Sequence, residues 1–152
     1  MKEEIRHELV MLPYHSVFDW LEAEVQQDGT VILRGEVTRP TLKTDAEIKV
    51  RALEGVNRIS NTIEVMPVSD HDEDLRRAVY RAVYASDSPL FKYAHQSVGP
   101  IHILVKNGHV TLKGVVDNEA DGQIAFIRAR GVSGAFSVKN ELQTADGSKP
   151  IS

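Results

Sequence analysis

The residues best suited to binding chemistry in this sequence are arginines and aromatic residues between positions 76 and 92. A predicted helix beginning at Ser69 or Asp70 carries five of them on its outward face, and the loop beyond it, which also contains Tyr93 and His95, carries two more: Arg76, Arg77, Tyr80, Arg81, Tyr84, Phe91 and Lys92. Arginine binds phosphate through paired hydrogen bonds, and tyrosine suits a lipid headgroup region because one end is apolar and the other polar. The pattern predicts a phospholipid-binding surface. The alternative interpretation is a solvated helix face whose tyrosines shield the core.

Other residue types that could support catalysis or metal binding lack the necessary spacing. The six histidines show neither HxxxH nor HExxH spacing, and the chain has no cysteine, so no zinc site is predicted. His15 and Ser16 are adjacent, but adjacency is not triad geometry and no GxSxG motif exists. Asp72 is interpreted as an acid that complements the start of a helix. We therefore predict no catalytic residue, no metal site and no cofactor.

Composition limits the size of the domains and the class of partner. The chain has 152 residues, 41% hydrophobic and 26% charged, which suits one ordinary domain or two small ones. Its net charge of −4 argues against general nucleic-acid binding. Residues 1–68 hold 8 basic and 12 acidic residues, whereas residues 69–152 hold 10 of each. The second half is therefore the better candidate for contact with an anionic surface.

The chain contains an internal repeat. Residues 28–65 align without gaps on residues 107–144, and both copies contain Gly-x-Val-x-Leu-x-Gly-x-Val. Ten positions are identical: Gly29/Gly108, Val31/Val110, Leu33/Leu112, Gly35/Gly114, Val37/Val116, Ala46/Ala125, Ile48/Ile127, Arg51/Arg130, Gly55/Gly134 and Asn61/Asn140. Internal duplication is the simplest explanation.

Each copy predicts the same order of elements: helix, strand, strand, helix, strand. Strands at 21–25 and 101–105 lead through Asp-Gly or Asn-Gly turns into second strands, in which Val31, Leu33, Val110 and Leu112 point inward. Third strands are predicted at 57–65 and 135–143. The leading helices have apolar stripes that include Ile5, Leu9 and Leu12 in the first copy and Leu75, Val79 and Val83 in the second. Two helices on one face of a three-stranded sheet make an α+β sandwich.

The second helix of each copy is predicted over 40–53 and 118–131, with Thr38 and Asp117 as N-caps. Leu42, Ala46, Val50 and Leu53 form the apolar stripe of the first, and Ile124, Ile127 and Val132 that of the second. Gly55 and Gly134 are placed just past the helix ends, as left-handed residues. Gly35 and Gly114 are expected where a strand bends or the following helix crosses close to the backbone.

The repeated pattern resembles the BON domain, the bacterial OsmY and nodulation module. The residues that carry the resemblance are Gly29–Val37, Gly55–Val56 and Asn61 in the first copy, and Gly108–Val116, Gly134 and Asn140 in the second. The second copy departs from the pattern at Ala135, where valine is expected. The resemblance implies two tandem αββαβ sandwiches, each a three-stranded mixed sheet with two helices on one face. It also implies phospholipid binding without enzymatic activity, in transport-associated proteins linked to envelope or osmotic stress.

We expect domains at 1–67 and 70–145 and a flexible tail at 146–152. The expected partner is a phospholipid membrane surface, with a protein partner as a further possibility and no nucleic acid. The alternatives are a cytoplasmic, potassium-responsive stress protein and a protein-interaction module that uses exposed sheet edges or an interdomain surface. The charged start "MKEEIRHELV" predicts no signal peptide, hence a cytoplasmic location, or a periplasmic one if a signal peptide has been removed. The sequence does not predict the oligomeric state.

Overall fold

The computed structural model describes residues 1–96 and 98–145. The chain divides into two compact units, one spanning Met1–Met66 and the other beginning at Pro67. The tail expected at 146–152 lies outside the described residues. Each unit is described below by itself.

The first unit has two helices and a mixed sheet. Its elements are α1 (Lys2–Val10), β1 (Trp20–Val25), β2 (Thr30–Val37), α2 (Pro40–Arg51), β3 (Arg58–Asn61) and β4 (Glu64–Val65). Strand β2 is central: β1 pairs with it in antiparallel register, while β3 and β4 pair in succession along its other side in parallel register. The predicted third strand is thus present but interrupted after Asn61.

The core of the first unit lies between the sheet and both helices. Ile5 and Leu9 of α1 join Leu42 of α2 and Val31 and Leu33 of β2 in one buried cluster. Because a single cluster contains residues from both helices and from one side of the sheet, both helices pack on the same face. The alternation predicted for β2 is confirmed, since Val31 and Leu33 are fully buried.

The second unit repeats this architecture with additions. Its elements are α3 (Asp70–Val83), a 3₁₀ helix (Pro89–Tyr93), β5 (His102–Lys106), β6 (His109–Val116), α4 (Glu119–Arg130) and β7 (Ser137–Thr144). Strand β6 is central, antiparallel to β5 and parallel to an uninterrupted β7. The predicted α+β fold with two copies of the same element order is confirmed.

Three details of the second helices differ from the sequence prediction. The N-caps are Arg39, which makes no side-chain cap hydrogen bond, and Asn118, whose side chain accepts from the amide of Asp121 at 2.9 Å. The predicted caps one residue earlier were wrong. The buried face of α4 is formed by Ala125 and Ala129 with Gly122, whereas Ile127 is 57% exposed. The apolar stripe predicted for α4 was therefore wrong at Ile127.

Six glycines of the repeat have a positive φ angle: Gly29, Gly35, Gly55, Gly108, Gly114 and Gly134. The last glycine of each copy lies in the turn that follows the helix, since the C-caps are Ala52 and Gly131 in right-handed conformations. The prediction of a left-handed conformation at these two glycines is confirmed, but their placement at the helix end was wrong.

The second glycine of each Gly-x-Val-x-Leu-x-Gly-x-Val motif is required because another part of the backbone approaches it closely. A Cβ atom on Gly35 would overlap the carbonyl oxygen of Trp20, and one on Gly114 would overlap that of Pro100. The neighbour is therefore the chain entering the adjacent strand, and not the helix that follows. Any side chain at these positions would have to displace backbone, in addition to the strain of a positive φ angle.

The repeated asparagines tie the third strand to the second helix. Asn61 donates to the carbonyl of Lys43 at 2.9 Å, and Asn140 donates to that of Gly122 at 3.3 Å. Each side-chain oxygen also accepts from the backbone amide two residues later. The same bridge therefore occurs at equivalent positions of both units.

Candidate functional site

The seven residues predicted to bind lipid do not form one exposed surface. Arg76 and Tyr84 are each only 5% exposed, so their placement on the outward face of the helix was wrong. The other five are at least partly exposed: Arg77, Tyr80, Arg81, Phe91 and Lys92. We call these five the exposed surface residues of the second unit.

Arg76 and Tyr84 are buried because they cover the outer edge of β5. The Arg76 guanidinium donates to the carbonyl of Val105 at 2.7 Å. The Tyr84 hydroxyl accepts from the amide of Ile101 at 3.0 Å and donates to the carbonyl of the same residue at 2.9 Å. These backbone groups face away from β6, where β5 has no neighbouring strand. The two side chains thus provide hydrogen-bond partners to an edge that would otherwise lack them.

Burial also affects the chemistry of Tyr84. Removal from water disfavours the phenolate and raises the pKa of the Tyr84 hydroxyl well above its ordinary value. The hydroxyl therefore stays protonated and keeps both hydrogen bonds with Ile101 across the physiological range. Contact with a phosphate would break these bonds, so Tyr84 has a structural role.

The exposed part of α3 presents cations together with an aromatic ring. Tyr80 and Arg81 follow Arg77 by three and four residues, so both lie on the same side of the helix as Arg77. Arg77 is paired with Asp74 at 2.6 Å and with Glu73 at 3.5 Å. Tyr80 is 37% exposed, and its ring lies 4.8 Å from the ring of Tyr84.

The 3₁₀ helix carries the other two exposed surface residues. Ser88 caps this helix by accepting from the amide of Leu90 at 3.1 Å. Phe91 is 39% exposed and contacts His95 edge to face. Lys92 pairs with Asp121 at 2.9 Å and with Asp117 at 3.5 Å. The hydrogen bond with Asp121 contributes most to raising the pKa of Lys92 above its ordinary value.

The electrostatics of this surface are mixed. Arg77 and Lys92 each have two carboxylates within 4.0 Å. Among the described residues, Arg81 is an exposed arginine without an ion pair. An anion would have to compete with the carboxylates for two of the cations, but could reach the Arg81 guanidinium directly. The surface is therefore suited to weak, salt-sensitive contact with anions.

Sequence reasoning missed three buried aspartates that fix the loops. Asp72 accepts from the amides of Asn107 and Gly108, both at 2.8 Å. Asp121 accepts from the Tyr93 hydroxyl at 2.6 Å, and that hydroxyl accepts from the amide of Asp117. The only sequence signal for Asp72 was its position three residues after the Ser69 cap, which also suits an ordinary acid in the first turn of a helix.

The third aspartate, Asp19, binds in the first unit the backbone amide whose equivalent is bound by Tyr93 in the second unit. Its carboxylate accepts from the amide of Thr38 at 2.7 Å and from the hydroxyl of the same residue at 2.9 Å. Thr38 corresponds to Asp117 in the repeat, whose amide is bound by Tyr93 instead. The two residues predicted as helix caps therefore donate their own amides to buried side chains.

Ser16, which follows His15 in the chain, has a structural role. The Ser16 hydroxyl donates to Asp19 at 2.9 Å and accepts from the amide of Phe18 at 3.1 Å.

Within residues 1–96 and 98–145 no group of three or more His, Cys, Asp or Glu residues could hold a metal ion. In the same part of the chain no helix has the length and apolarity needed to cross a membrane.

Comparison with known proteins agrees with the repeat. The profile of the BON domain matches residues 3–67 and again residues 71–146. No curated protein shows significant similarity to the chain. Two solved structures of CdsD, a structural protein of the type III secretion system of Chlamydia trachomatis, resemble the chain at low identity. The first, of the C-terminal domain, is 13% identical, with a TM-score of 0.37, covering 93% of this chain and 96% of that one. The second is 15% identical, with a TM-score of 0.34, covering 93% and 90%.

Proposed function

Because the chain belongs to the BON domain family, with two tandem copies of the domain, we propose that it is a non-catalytic binding protein whose second unit contacts anionic phospholipid surfaces. The observation that carries this proposal is the face of α3 formed by Arg77, Tyr80 and Arg81. It combines an exposed arginine that has no ion pair among the described residues with a half-exposed tyrosine. The envelope or osmotic-stress role that we propose for it rests on the family resemblance alone.

The contact would be electrostatic and shallow. Arg81 would bind headgroup phosphates, and Arg77 would add a second cation where phosphates displace its carboxylate partners. Tyr80 and Phe91 would enter the interfacial region with their apolar edges while the Tyr80 hydroxyl stays in water. Arg76 and Tyr84 take no part, since both side chains are buried, with Arg76 donating to the carbonyl of Val105 and Tyr84 to that of Ile101.

The free energy that each basic residue contributes to membrane binding determines how much charge reversal should weaken that binding. Each basic residue near an anionic bilayer contributes about 1 kcal/mol, and the contribution falls off within a Debye length. Reversing the charge of Arg77 and Arg81 together should therefore weaken partitioning by more than about tenfold. Binding of the unaltered chain should decrease at high salt.

Vesicle co-flotation tests the proposal. The chain is mixed with vesicles of phosphatidylcholine, with or without phosphatidylglycerol, at low and high salt. We expect salt-sensitive binding to the anionic vesicles and its loss in the Arg77→Glu/Arg81→Glu variant. Arg51→Glu is the matched control for Arg77, because Arg51 also forms an exposed i,i+4 ion pair with a glutamate, Glu47. Absence of binding by the unaltered chain would refute lipid binding. Equal binding by all variants would refute the site.

A further inference from the structure

The outer edge of β1 in the first unit differs from the corresponding edge in the second. Strand β1 lies at the side of its sheet, with β2 on one side and no strand on the other among the described residues. The same is true of β5 in the second unit. A strand in this position presents backbone donors and acceptors that need partners.

The register identifies which backbone groups face outward. Gln26 donates to the carbonyl of Thr30 at 2.8 Å, immediately beyond the pair Val25↔Val31. Hydrogen-bonded and non-hydrogen-bonded pairs alternate along an antiparallel ladder, so Val25↔Val31 is non-hydrogen-bonded. The N–H and C=O groups of Leu21, Ala23 and Val25 therefore point away from β2.

In the second unit the equivalent edge is covered in part: the outward groups of Ile101 and the carbonyl of Val105 have side-chain partners, whereas within residues 1–96 and 98–145 the outward groups of Ile103 have none. Tyr84 binds both the amide and the carbonyl of Ile101, and Arg76 binds the carbonyl of Val105. In the first unit, within residues 1–96 and 98–145, no hydrogen bond to the outward groups of Leu21, Ala23 or Val25 is present. Helix α1 has nine residues against fourteen in α3. Its Arg6 follows the buried Ile5 as Arg76 follows Leu75, but Arg6 is exposed and, within residues 1–96 and 98–145, makes no hydrogen bond to the edge of β1.

Strand β1 has few of the features that prevent strand addition. Its six residues, WLEAEV, include no proline and pair with β2 without a bulge. Its protection is limited to the two glutamates Glu22 and Glu24, which are exposed on the sheet face opposite the core. Glu24 pairs with Arg34 at 3.2 Å and Glu22 accepts from the Trp20 indole at 3.0 Å, so a basic residue of an added strand would share these carboxylates with their present partners. Leu21, Ala23 and Val25 are half-buried on the core side.

We propose that the outer edge of β1 accepts an extended segment of a partner protein in which basic residues alternate with apolar ones. An added strand would bond to the outward groups of Leu21, Ala23 and Val25, as in strand addition to other sheets. Its side chains would alternate between the two faces. Basic residues would lie beside Glu22 and Glu24, and apolar residues beside the half-buried side chains.

Charge argues against a second copy of β1 as the occupant. In every antiparallel pairing that joins at least two outward residues of each copy, a glutamate lies opposite a glutamate: Glu22 opposite Glu24, or either one opposite itself. Like charges directly opposite each other destabilise a pair of strands, whereas opposite charges stabilise it by about 0.2–1 kcal/mol per pair. The edge therefore favours a foreign, basic strand over self-association.

The experiment uses the full chain labelled with ¹⁵N and an acetylated peptide of about eight residues that alternates lysine and valine. Hydrogen exchange is measured by NMR with and without the peptide. In the free chain we expect fast exchange at the amides of Leu21, Ala23 and Val25 and slow exchange at Ile101. The peptide should protect the first three amides. A peptide alternating glutamate and valine, and a lysine–valine peptide N-methylated at alternate residues, should bind about tenfold more weakly or not at all.

Two variants locate the site. Ala23→Pro removes an outward N–H that the ladder of β1 and β2 does not use, and should abolish protection of Leu21 and Val25. Glu22→Lys/Glu24→Lys should reverse the preference toward the acidic peptide, and it keeps the test valid if the proline variant fails to fold. No binding of the lysine–valine peptide, or binding without protection at β1, would overturn the proposal. Protection that depends on protein concentration without peptide would overturn the choice of a foreign strand.

Discussion

The carboxylate of Asp72 accepts a 2.8 Å hydrogen bond from the backbone amide of Gly108, which joins the first turn of α3 to the tip of the hairpin between β5 and β6. The same carboxylate accepts from Asn107. Farther along α3, Arg76 binds Val105 and Tyr84 binds Ile101. One side of α3 is therefore hydrogen-bonded to the chain at both ends of β5.

Replacing Asp72 should destabilise the second unit. In Asp72→Asn one carboxylate oxygen becomes an amide donor, which faces a backbone N–H and leaves that group unsatisfied while buried. The free energy of unfolding should fall by about 2 kcal/mol. Urea denaturation measures this, and Asp70→Asn, an exposed acid in the same first turn, is the control. Equal losses in the two variants would show that the effect arises from the helix dipole and not from the hairpin.

The close approach at Gly114 should tolerate no side chain. Gly114→Ala places a Cβ atom on the carbonyl oxygen of Pro100 at a φ of 135°, so the second unit should lose more than about 3 kcal/mol or fail to fold. Gly131→Ala is the control, because Gly131 has a right-handed conformation and its nearest neighbours lie 3.6 Å from an added Cβ. That variant should match or slightly exceed the original stability in thermal unfolding. Similar melting temperatures for the two variants would contradict the packing described here.

Alkaline pH should destabilise the second unit through Tyr84 and Tyr93. Burial raises the pKa of both hydroxyls, so they stay protonated in the folded chain while unfolded tyrosines ionise above about pH 10. The folded state then binds more protons than the unfolded state, and the free energy of unfolding falls as pH rises above that value. The Tyr84→Phe/Tyr93→Phe variant should be less stable at neutral pH and show a shallower alkaline slope. Urea unfolding from about pH 8 to pH 11 measures this pH dependence of the free energy of unfolding. An unchanged slope in the variant would show that Tyr84 and Tyr93 do not cause it.

Asn61 and Asn140 should contribute differently to the free energy of unfolding. Asn140 is 2% exposed, whereas Asn61 is only half-buried. Asn140→Ala leaves the carbonyl of Gly122 and the amide of Leu142 without their partner in a site that water does not reach, which should cost about 2 kcal/mol. Asn61→Ala should cost less than about 1 kcal/mol, because water can replace the side chain. Equal losses in chemical denaturation would indicate that the two bridges are equally accessible.

The sequence predicted most of the fold because the deciding signals are local. Asp-Gly and Asn-Gly turns define the hairpins, and the alternation of Val31 with Leu33 defines the buried side of the central strand. Because the pattern occurs twice, each helix and strand of the unit is predicted from two separate stretches of sequence. The helix caps were less predictable, since Thr38 and Asp117 are suitable cap residues whose amides are instead bound by Asp19 and Tyr93. Those partners are distant in sequence.

The candidate site was only partly predictable. An apolar stripe on a helix identifies the side that faces the core, and every other residue is then assumed to face water. That assumption holds for Arg77 and Arg81. It fails for Arg76 and Tyr84, because α3 lies at the edge of its sheet and is covered on a second side by β5. The apolar stripe predicted for α4 was wrong for a different reason: its buried face is formed by the small residues Ala125 and Ala129, whereas the larger Ile127 is exposed.

The sequence by itself determined the duplication, the order of elements, the turns with positive φ angles and the buried faces of the strands. These depend on backbone preferences and periodicities that act over a few residues. Only the tertiary structure decided which polar side chains of α3 are exposed, how buried aspartates hold the loops, and which sheet edge is covered. Those outcomes depend on hydrogen-bond partners that come from distant segments of the chain. In the second unit Tyr84 is such a partner for Ile101. In the first unit the outward backbone groups of Leu21, Ala23 and Val25 have no such partner among the described residues.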